Sequence, residues 1–153
     1  MSQRKTLADV MSAGRFVSLS PETDVVTASR KLLERRSSVV AVTRGGALIG
    51  IVTERDICFR VVAAGRNAAE TRLSQIMTRE PDTIGPDAGL DDALEMMQAN
   101  GYRHVPVEED GRVIGVIGTQ DLFGEIREEL QAEIRDREEF MFGSGYFVPA
   151  VMH

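Results

Sequence analysis

Apolar positions along the chain follow one pattern, and they follow it twice. A short extended segment (residues 16–19, then 83–84) ends at Pro21 or Pro86, where the proline ring fixes φ and opens a turn. Helical spacing comes next. Val25, Ala28, Leu32 and Leu33 in the first stretch, and Leu90, Leu94 and Met97 in the second, fall at the three- and four-residue steps of an amphipathic helix. Thr23 or Asp24 is placed to cap the first of these. Two β-branched runs follow in each stretch, 38–43 with 48–52 and 104–107 with 113–117. Gly45–Gly46 and Asp110–Gly111 separate them, which predicts two hairpins. A last helix is predicted after Val52 and after Ile117.

Residues 18–57 and 83–122 stay in step at a constant offset of 65. Pro21 matches Pro86, Ala28 matches Ala93, and Val40 and Val42 match Val105 and Val107. Gly46 matches Gly111, Ile49 and Gly50 match Ile114 and Gly115, and Asp56 matches Asp121. Upstream, Leu7-Ala-Asp-Val-Met11 matches Leu73-Ser-Gln-Ile-Met77 at an offset of 66, one residue out of register with the rest. The chain is a duplication. Its period is longer than those of the common solenoid repeats, so a packed pair is expected and not an array. Each copy reads β-α-β-β-α, too small to bury its own sheet face, and packing the two sheet to sheet solves that problem. The expected fold class is α/β of the α+β type, with units at 7–65 and 73–123 and an extension at 124–153.

Composition narrows the function. The chain has 153 residues, 42% hydrophobic and 27% charged, as an ordinary globular protein has. A formal net charge of −6 argues against a nucleic-acid partner. It also requires that any anionic ligand be met by local cations, because the global field repels it. The single cysteine, Cys58, allows no internal disulfide, and its neighbours Ile57 and Phe59 predict a buried, inert thiol. No signal peptide is expected at residues 1–6, and no run approaches the roughly 18 apolar residues of a membrane span. The expectation is a soluble cytoplasmic protein with no membrane partner. Only two histidines are present, with no Ser-His-Asp set, no phosphate-binding loop and no paired metal-ligand spacing. No catalytic residue and no metal site is assigned.

Chemistry concentrates where the last strand of each copy meets its last helix. The first copy reads Gly50-Ile-Val-Thr53-Glu-Arg55-Asp56. Two readings fit. Helix N-terminal amides and the Thr53 hydroxyl can hold a phosphate, with Asp56 accepting two ribose hydroxyls. Alternatively Thr53 and Asp56 form a capping box.

These residues, with Gly101-Tyr-Arg-His-Val-Pro106-Val and the duplicated Leu-x-x-h-Met lead-in, resemble a tandem pair of cystathionine-β-synthase (CBS) domains over about residues 7–123. The resemblance implies two units packed about a pseudo-two-fold axis with two clefts for adenosine-containing ligands: AMP, ADP, ATP, S-adenosylmethionine or NAD. It further implies a regulatory, allosteric role toward a partner protein, and pairing into a homodimer. Carried over by position, it implies a first site of Asp56 on ribose and Thr53 near phosphate, with Ser18, Leu19, Val40 and Ala41 around adenine. The second site takes Asp121 on ribose, with Thr83, Ile84, Val105 and Pro106 around the base.

The copies differ at these positions. Gly118 stands where the first copy has Thr53, with Thr119 beside it as a partial substitute, and Ala41 stands where the second has Pro106. Unequal sites are expected. Arg103 is assigned a ligand role because an acidic chain needs local cations for a phosphate. His104 reads equally as a ligand contact or a hydrogen-bonded structural group, and Arg55 and Arg60 as phosphate contacts or solvated surface. Residues 125–139 carry Ile126, Leu130 and Ile134 at four-residue steps, an amphipathic helix. The tail beyond holds four of the eight aromatic residues (Phe140, Phe142, Tyr146 and Phe147), which suggests a contact surface for a dimer mate or regulated partner. Two other function classes remain beside the sensor: a structural dimerisation unit with degenerate clefts, and an enzyme.

Overall fold

The computed structural model describes residues 5–11 and 16–142. The tail read as a contact surface, residues 140–153, contributes only the backbone of Phe140–Phe142 to the described residues, and the rest of it, with that reading, lies outside them.

The first copy forms β1 (Val17–Leu19), α2 (Val25–Arg35), β2 (Val39–Arg44) and β3 (Ala47–Thr53). It closes with α3 (Glu54–Ile57), which runs on as a π-helical turn, Cys58–Val62. The second forms α5 (Leu90–Asn100), β5 (His104–Glu109), β6 (Arg112–Gly118) and α6 (Thr119–Phe142). The lead-ins are two short helices, α1 (Leu7–Val10) and α4 (Leu73–Ile76), the latter followed by β4 (Thr78–Arg79). The helix expected after Ile117 and the amphipathic segment at 125–139 are one continuous element, α6.

Local chemistry accounts for the boundaries. Asp24 caps α2 by accepting from the Thr27 N–H (2.9 Å) and the Thr27 hydroxyl (2.7 Å). That helix ends where Arg36 turns left-handed (φ 51°), and α5 ends the same way at Gly101 (φ 71°). Both hairpin turns need two consecutive positive φ angles, supplied by Gly45 and Gly46 in one and by Asp110 and Gly111 in the other.

The first sheet has the order β1-β2-β3-β4, with β1 parallel to β2 (Val17 opposite Val40) and the other pairs antiparallel. The second repeats the hairpin as β5–β6, and an isolated parallel bridge of Ile84 to Val107 stands where β1 would be. Strands β3 and β6 touch where the two halves meet.

Each half has its own core, but the lead-in helices cross over. Leu7 of α1 is fully buried in the second core, with Leu90, Ala93, Met97, Val105, Val107, Ile117 and Leu122. Leu73 and Ile76 of α4 are buried in the first, among Val25, Ala28, Leu32, Val40, Val42 and Val52. Matching hydrogen bonds fix both: Leu7 N–H donates to the Ala88 carbonyl and Leu73 N–H to the Thr23 carbonyl, each at 2.9 Å. Met11 packs on Gly115, and Met77 on Gly50. The exchange obeys the same pseudo-two-fold relation as the duplication.

Cys58 departs from expectation: it is exposed. Ile57 and Val61, four residues apart, take the inward face, and Cys58, Phe59 (57% exposed) and Val62 (70% exposed) are turned outward.

Candidate functional site

Two clefts open where the halves meet, and each is built from both copies. The larger, about 940 Å³, takes Gly118, Thr119, Gln120 and Asp121 from the start of α6. From the first half it takes Phe16, the end of α2 at Arg35 and Arg36, and the approach to β2 at Ser37, Ser38 and Val39. The smaller, about 250 Å³, is the reciprocal arrangement. Thr53, Glu54, Arg55 and Asp56 from the start of α3 face Pro81, Asp82, Tyr102 and Pro106 from the second half. Glu54, Arg103 and His104 line both clefts and form their common wall.

The reason for this construction lies in the backbone. The N–H of Glu54 donates to the Ser38 carbonyl (2.9 Å), and the N–H of Thr119 to the Arg103 carbonyl (3.0 Å). Each closing helix is thereby pinned beside the start of the middle strand in its own copy. The two starts meet through Ser38 Oγ and His104 Nε2 (2.9 Å), so each helix end lies beside the other copy.

At α3 the capping box is complete. The Thr53 N–H donates to Asp56 Oδ2 (2.8 Å), and the Asp56 N–H donates to Thr53 Oγ1 (3.2 Å). At α6 only half of it exists: the Gly118 N–H donates to Asp121 Oδ2 (2.8 Å), and glycine has no hydroxyl to return the bond. The two readings of this junction are therefore compatible. Capping uses one oxygen of each carboxylate and fixes its orientation, and the carboxylate keeps lone pairs for further donors. Asp56 Oδ1 lies 3.7 Å from Arg60 Nε. Arg60 also donates to the Ile76 carbonyl (2.8 Å), so it ties α4 to the closing helix. Arg55 stacks its guanidinium on Phe59 at 5.0 Å from the ring centre.

His104 is half-buried, and its Nε2 shares a hydrogen bond with Ser38 Oγ (2.9 Å) across the wall. Burial holds its pKa below the ordinary histidine value, aided by Arg103 and opposed by Glu54 and Asp121. A group whose folded pKa is depressed resists a proton that the unfolded chain accepts, so its contribution is complete above the unfolded value and is lost as pH falls. Stability is accordingly expected to decline from about pH 7.5 to about 5.5, across the ordinary histidine pKa near 6.5. Urea denaturation at both pH values should show a smaller decline for His104→Gln, and an identical decline would remove His104 as its source.

Of the residues singled out in the sequence, Thr53, Arg55, Asp56 and Pro106 line the smaller cleft. Gly118, Thr119 and Asp121 line the larger, and Arg103 and His104 line both. Ser18, Leu19, Val40, Ala41, Thr83, Ile84 and Val105 line neither. Val40, Ala41 and Val105 are fully buried within their sheets, and Pro106 sits with Asp56 instead of Asp121. The carry-over by position kept each site within one copy, whereas the chain builds each from two. Phe16, Arg35, Arg36, Pro81, Asp82 and Tyr102 enter the lining without having been singled out. One signal for them was available: Phe16 and Pro81 share the 65-residue offset, Phe16 at the start of the first copy's extended segment and Pro81 just ahead of the second's. Among the described residues no cluster of three or more His, Cys, Asp or Glu is arranged to hold a metal ion.

Comparison with known proteins places this geometry. The CBS domain family model matches residues 7–63 and again 73–128. An Arabidopsis thaliana relative, the CBS domain-containing protein CBSCBSPB2, is 37% identical over 141 residues, which is 87% of this chain and 26% of that protein. The chain thus spans about a quarter of the length of that relative. Among solved structures, the CBS domain pair of protein MJ0100, in complex with 5′-methylthioadenosine and S-adenosyl-L-methionine, superposes with a TM-score of 0.75 at 22% identity. It covers 83% of this chain and 99% of its own. CBSX2 in complex with AMP gives 0.68 at 22% identity, over 84% of this chain and 98% of its own. At that identity the likeness to the two structures is one of fold.

Proposed function

The chain belongs to the CBS domain family, and from that premise we propose that it is a regulatory module that senses an adenosine-containing ligand and passes the signal to a partner protein. The observation that carries this reading is the repeated juxtaposition at the clefts. Twice, a carboxylate held by its own helix end faces a cleft walled by residues of the opposite copy. Asp56 and Asp121 are assigned to ribose, and Thr53 and Thr119 to the neighbouring phosphate or hydroxyl. The adenosine ligands of MJ0100 and CBSX2 support the ligand class.

A ligand bound between the halves favours whichever relative arrangement it fits, and differential affinity of that kind is what couples it to a partner. Outward-facing Phe59 and Val62 on one closing helix, with Phe123, Leu130 and Ile134 on the other, form the surface we assign to a second copy of the chain. The role is binding and not catalysis, and the lone Cys58 suits a reducing cytoplasm. Among the described residues no helix is long and apolar enough to cross a membrane.

The test is a thermal-shift and calorimetric series with AMP, ADP, ATP, NAD and S-adenosylmethionine on the parent, Asp56→Ala and Asp121→Ala. A ligand at about 100 times its Kd should stabilise the parent by roughly 2.7 kcal/mol. Loss of a carboxylate that accepts ribose hydroxyls should weaken binding about ten- to hundredfold at its cleft, each such bond being worth about 1.5–3 kcal/mol. Flat traces across the series would favour a structural dimerisation unit. Turnover of ATP that depends on Asp56 would favour an enzyme.

A further inference from the structure

Resting on the adenosine reading above, we infer that the two clefts take different classes of that ligand: an adenine nucleotide carrying a polyphosphate at Asp121, and an adenosine without phosphate at Asp56. The pseudo-two-fold relation allows the clefts to be compared position by position. Arg35 and Arg36 line the larger cleft, and the 65-residue offset replaces them by Asn100 and Gly101. Asn100 turns away to donate to the Met96 carbonyl (2.9 Å), and Gly101 has no side chain to offer. Arg103 completes a set of three guanidinium groups around the larger cleft. Among the described residues none of the three holds an ion pair or a side-chain hydrogen bond. Against them stand two carboxylates, Glu54 and Asp121.

The smaller cleft reverses the balance. Glu54, Asp56 and Asp82 face Arg55 and the shared Arg103. The Arg55 guanidinium is already stacked on Phe59, and Tyr102 donates its phenol to Asp82 (2.6 Å). Ile51, Pro81, Tyr102 and Pro106 give this cleft an apolar wall suited to a purine face.

Charge decides between ligands here because the chain as a whole carries −6 and repels a polyphosphate. Only a local cluster of guanidinium groups, each able to form paired bonds to phosphate oxygens, reverses that repulsion. Size points the same way. Pockets for small ligands run from about 300 to 1,000 Å³. The larger cleft, at about 940 Å³, has room for a nucleotide with its phosphate chain, and the smaller, at about 250 Å³, lies just below that range and has room for a nucleoside at most. Arg103 reinforces the division. It can turn to only one cleft at a time, so a polyphosphate in the larger leaves the smaller still more acidic.

Calorimetry on the full chain tests this with ATP and adenosine as the probes. ATP is expected to bind once per chain, and adenosine is expected to bind ATP-saturated protein once more per chain. Arg35→Gln with Arg36→Asn removes two charges at exposed positions, and asparagine tolerates the left-handed backbone at 36. This variant should bind ATP at least tenfold more weakly and adenosine within twofold of the parent, a guanidinium–phosphate bond being worth about tenfold or more. Arg103→Gln should also weaken ATP binding, through a residue outside α2. Competition of ATP and adenosine for a single site, or ATP affinity unchanged in these variants, overturns the assignment while leaving the adenosine reading in place. Binding of neither probe to the parent overturns the assignment, and the adenosine reading falls with it only if AMP, ADP, NAD and S-adenosylmethionine fail to bind as well.

Discussion

Replacing Leu7 by alanine is expected to cost about 2–5 kcal/mol and to loosen the second half of the chain, although Leu7 stands at the head of the first. The side chain is fully buried, and the residues around it are Leu90, Ala93 and Met97 of α5, Val105 and Val107 of β5, Ile117 of β6 and Leu122 of α6. Truncation leaves a cavity that the surrounding strands cannot close without giving up their own register, so the cost exceeds the transfer energy of the lost methyl groups. Against a total stability of about 5–15 kcal/mol, that is a large fraction. Urea denaturation measures the cost, and amide hydrogen exchange finds its location. Protection should fall in α5, β5 and β6 and hold in β1, β2 and β3. Leu73→Ala should produce the mirror pattern, because Leu73 is buried under the first sheet. Protection lost from β1 to β3 in the Leu7 variant would mean that α1 serves its own copy after all.

Crossing of this kind leaves only a faint trace in a sequence. The hairpins were legible because the turn residues and the β-branched runs are local signals, and the backbone obeys them: Gly45, Gly46, Asp110 and Gly111 all take positive φ. Helix α2 was legible from the spacing of Val25, Ala28 and Leu32, all of which are buried. Which core a four-residue lead-in serves is a long-range choice. Leu7-x-x-x-Met11 would pack equally well by pattern on either sheet, and the one hint is that the lead-ins repeat at 66 while everything else repeats at 65. The clefts suffer from the same blindness. Asp56, Thr53 and Asp121 were found because a carboxylate three residues into a helix after a glycine-rich strand is a local motif. The opposite walls, Pro81 and Asp82 in one cleft and Phe16, Arg35 and Arg36 in the other, come from the other copy and have no motif of their own, and the 101–107 motif that contains Tyr102 does not say which copy's cleft it lines. Cys58 failed for a smaller reason. Flanking Ile57 and Phe59 are both apolar, but on a helix adjacent residues are about 100° apart, so only one of the two faces the core.

Gly50→Val is expected to destabilise the protein by about 1–3 kcal/mol, and the loss should depend on Met77. Valine is a better strand residue than glycine, and an unobstructed exchange in β3 would be neutral or favourable. Gly50 is buried, however, and a Cβ built there runs into the Sδ, Cγ and Cβ atoms of Met77, which the α4 lead-in delivers onto the strand. Turning the thioether aside relieves the overlaps with Sδ and Cγ at the expense of its packing, and the tight approach to the Met77 Cβ asks the lead-in to give by a few tenths of an ångström. A double-mutant cycle separates this from a general loss of packing. In the Met77→Ala background the overlaps with Sδ and Cγ are gone and only the tight Cβ approach is left, so the two changes together should cost less than the sum of each alone by about 0.5–3 kcal/mol, the range for residues in contact. Gly115 bears the same relation to Met11, so Gly115→Val with Met11→Ala should behave alike, read out in the other half. Pairing the wrong methionine with each glycine supplies the control: Gly50→Val with Met11→Ala should be additive. If that mismatched pair couples and the matched pair does not, each lead-in lies on its own copy, and the two-copy construction of both clefts goes with it.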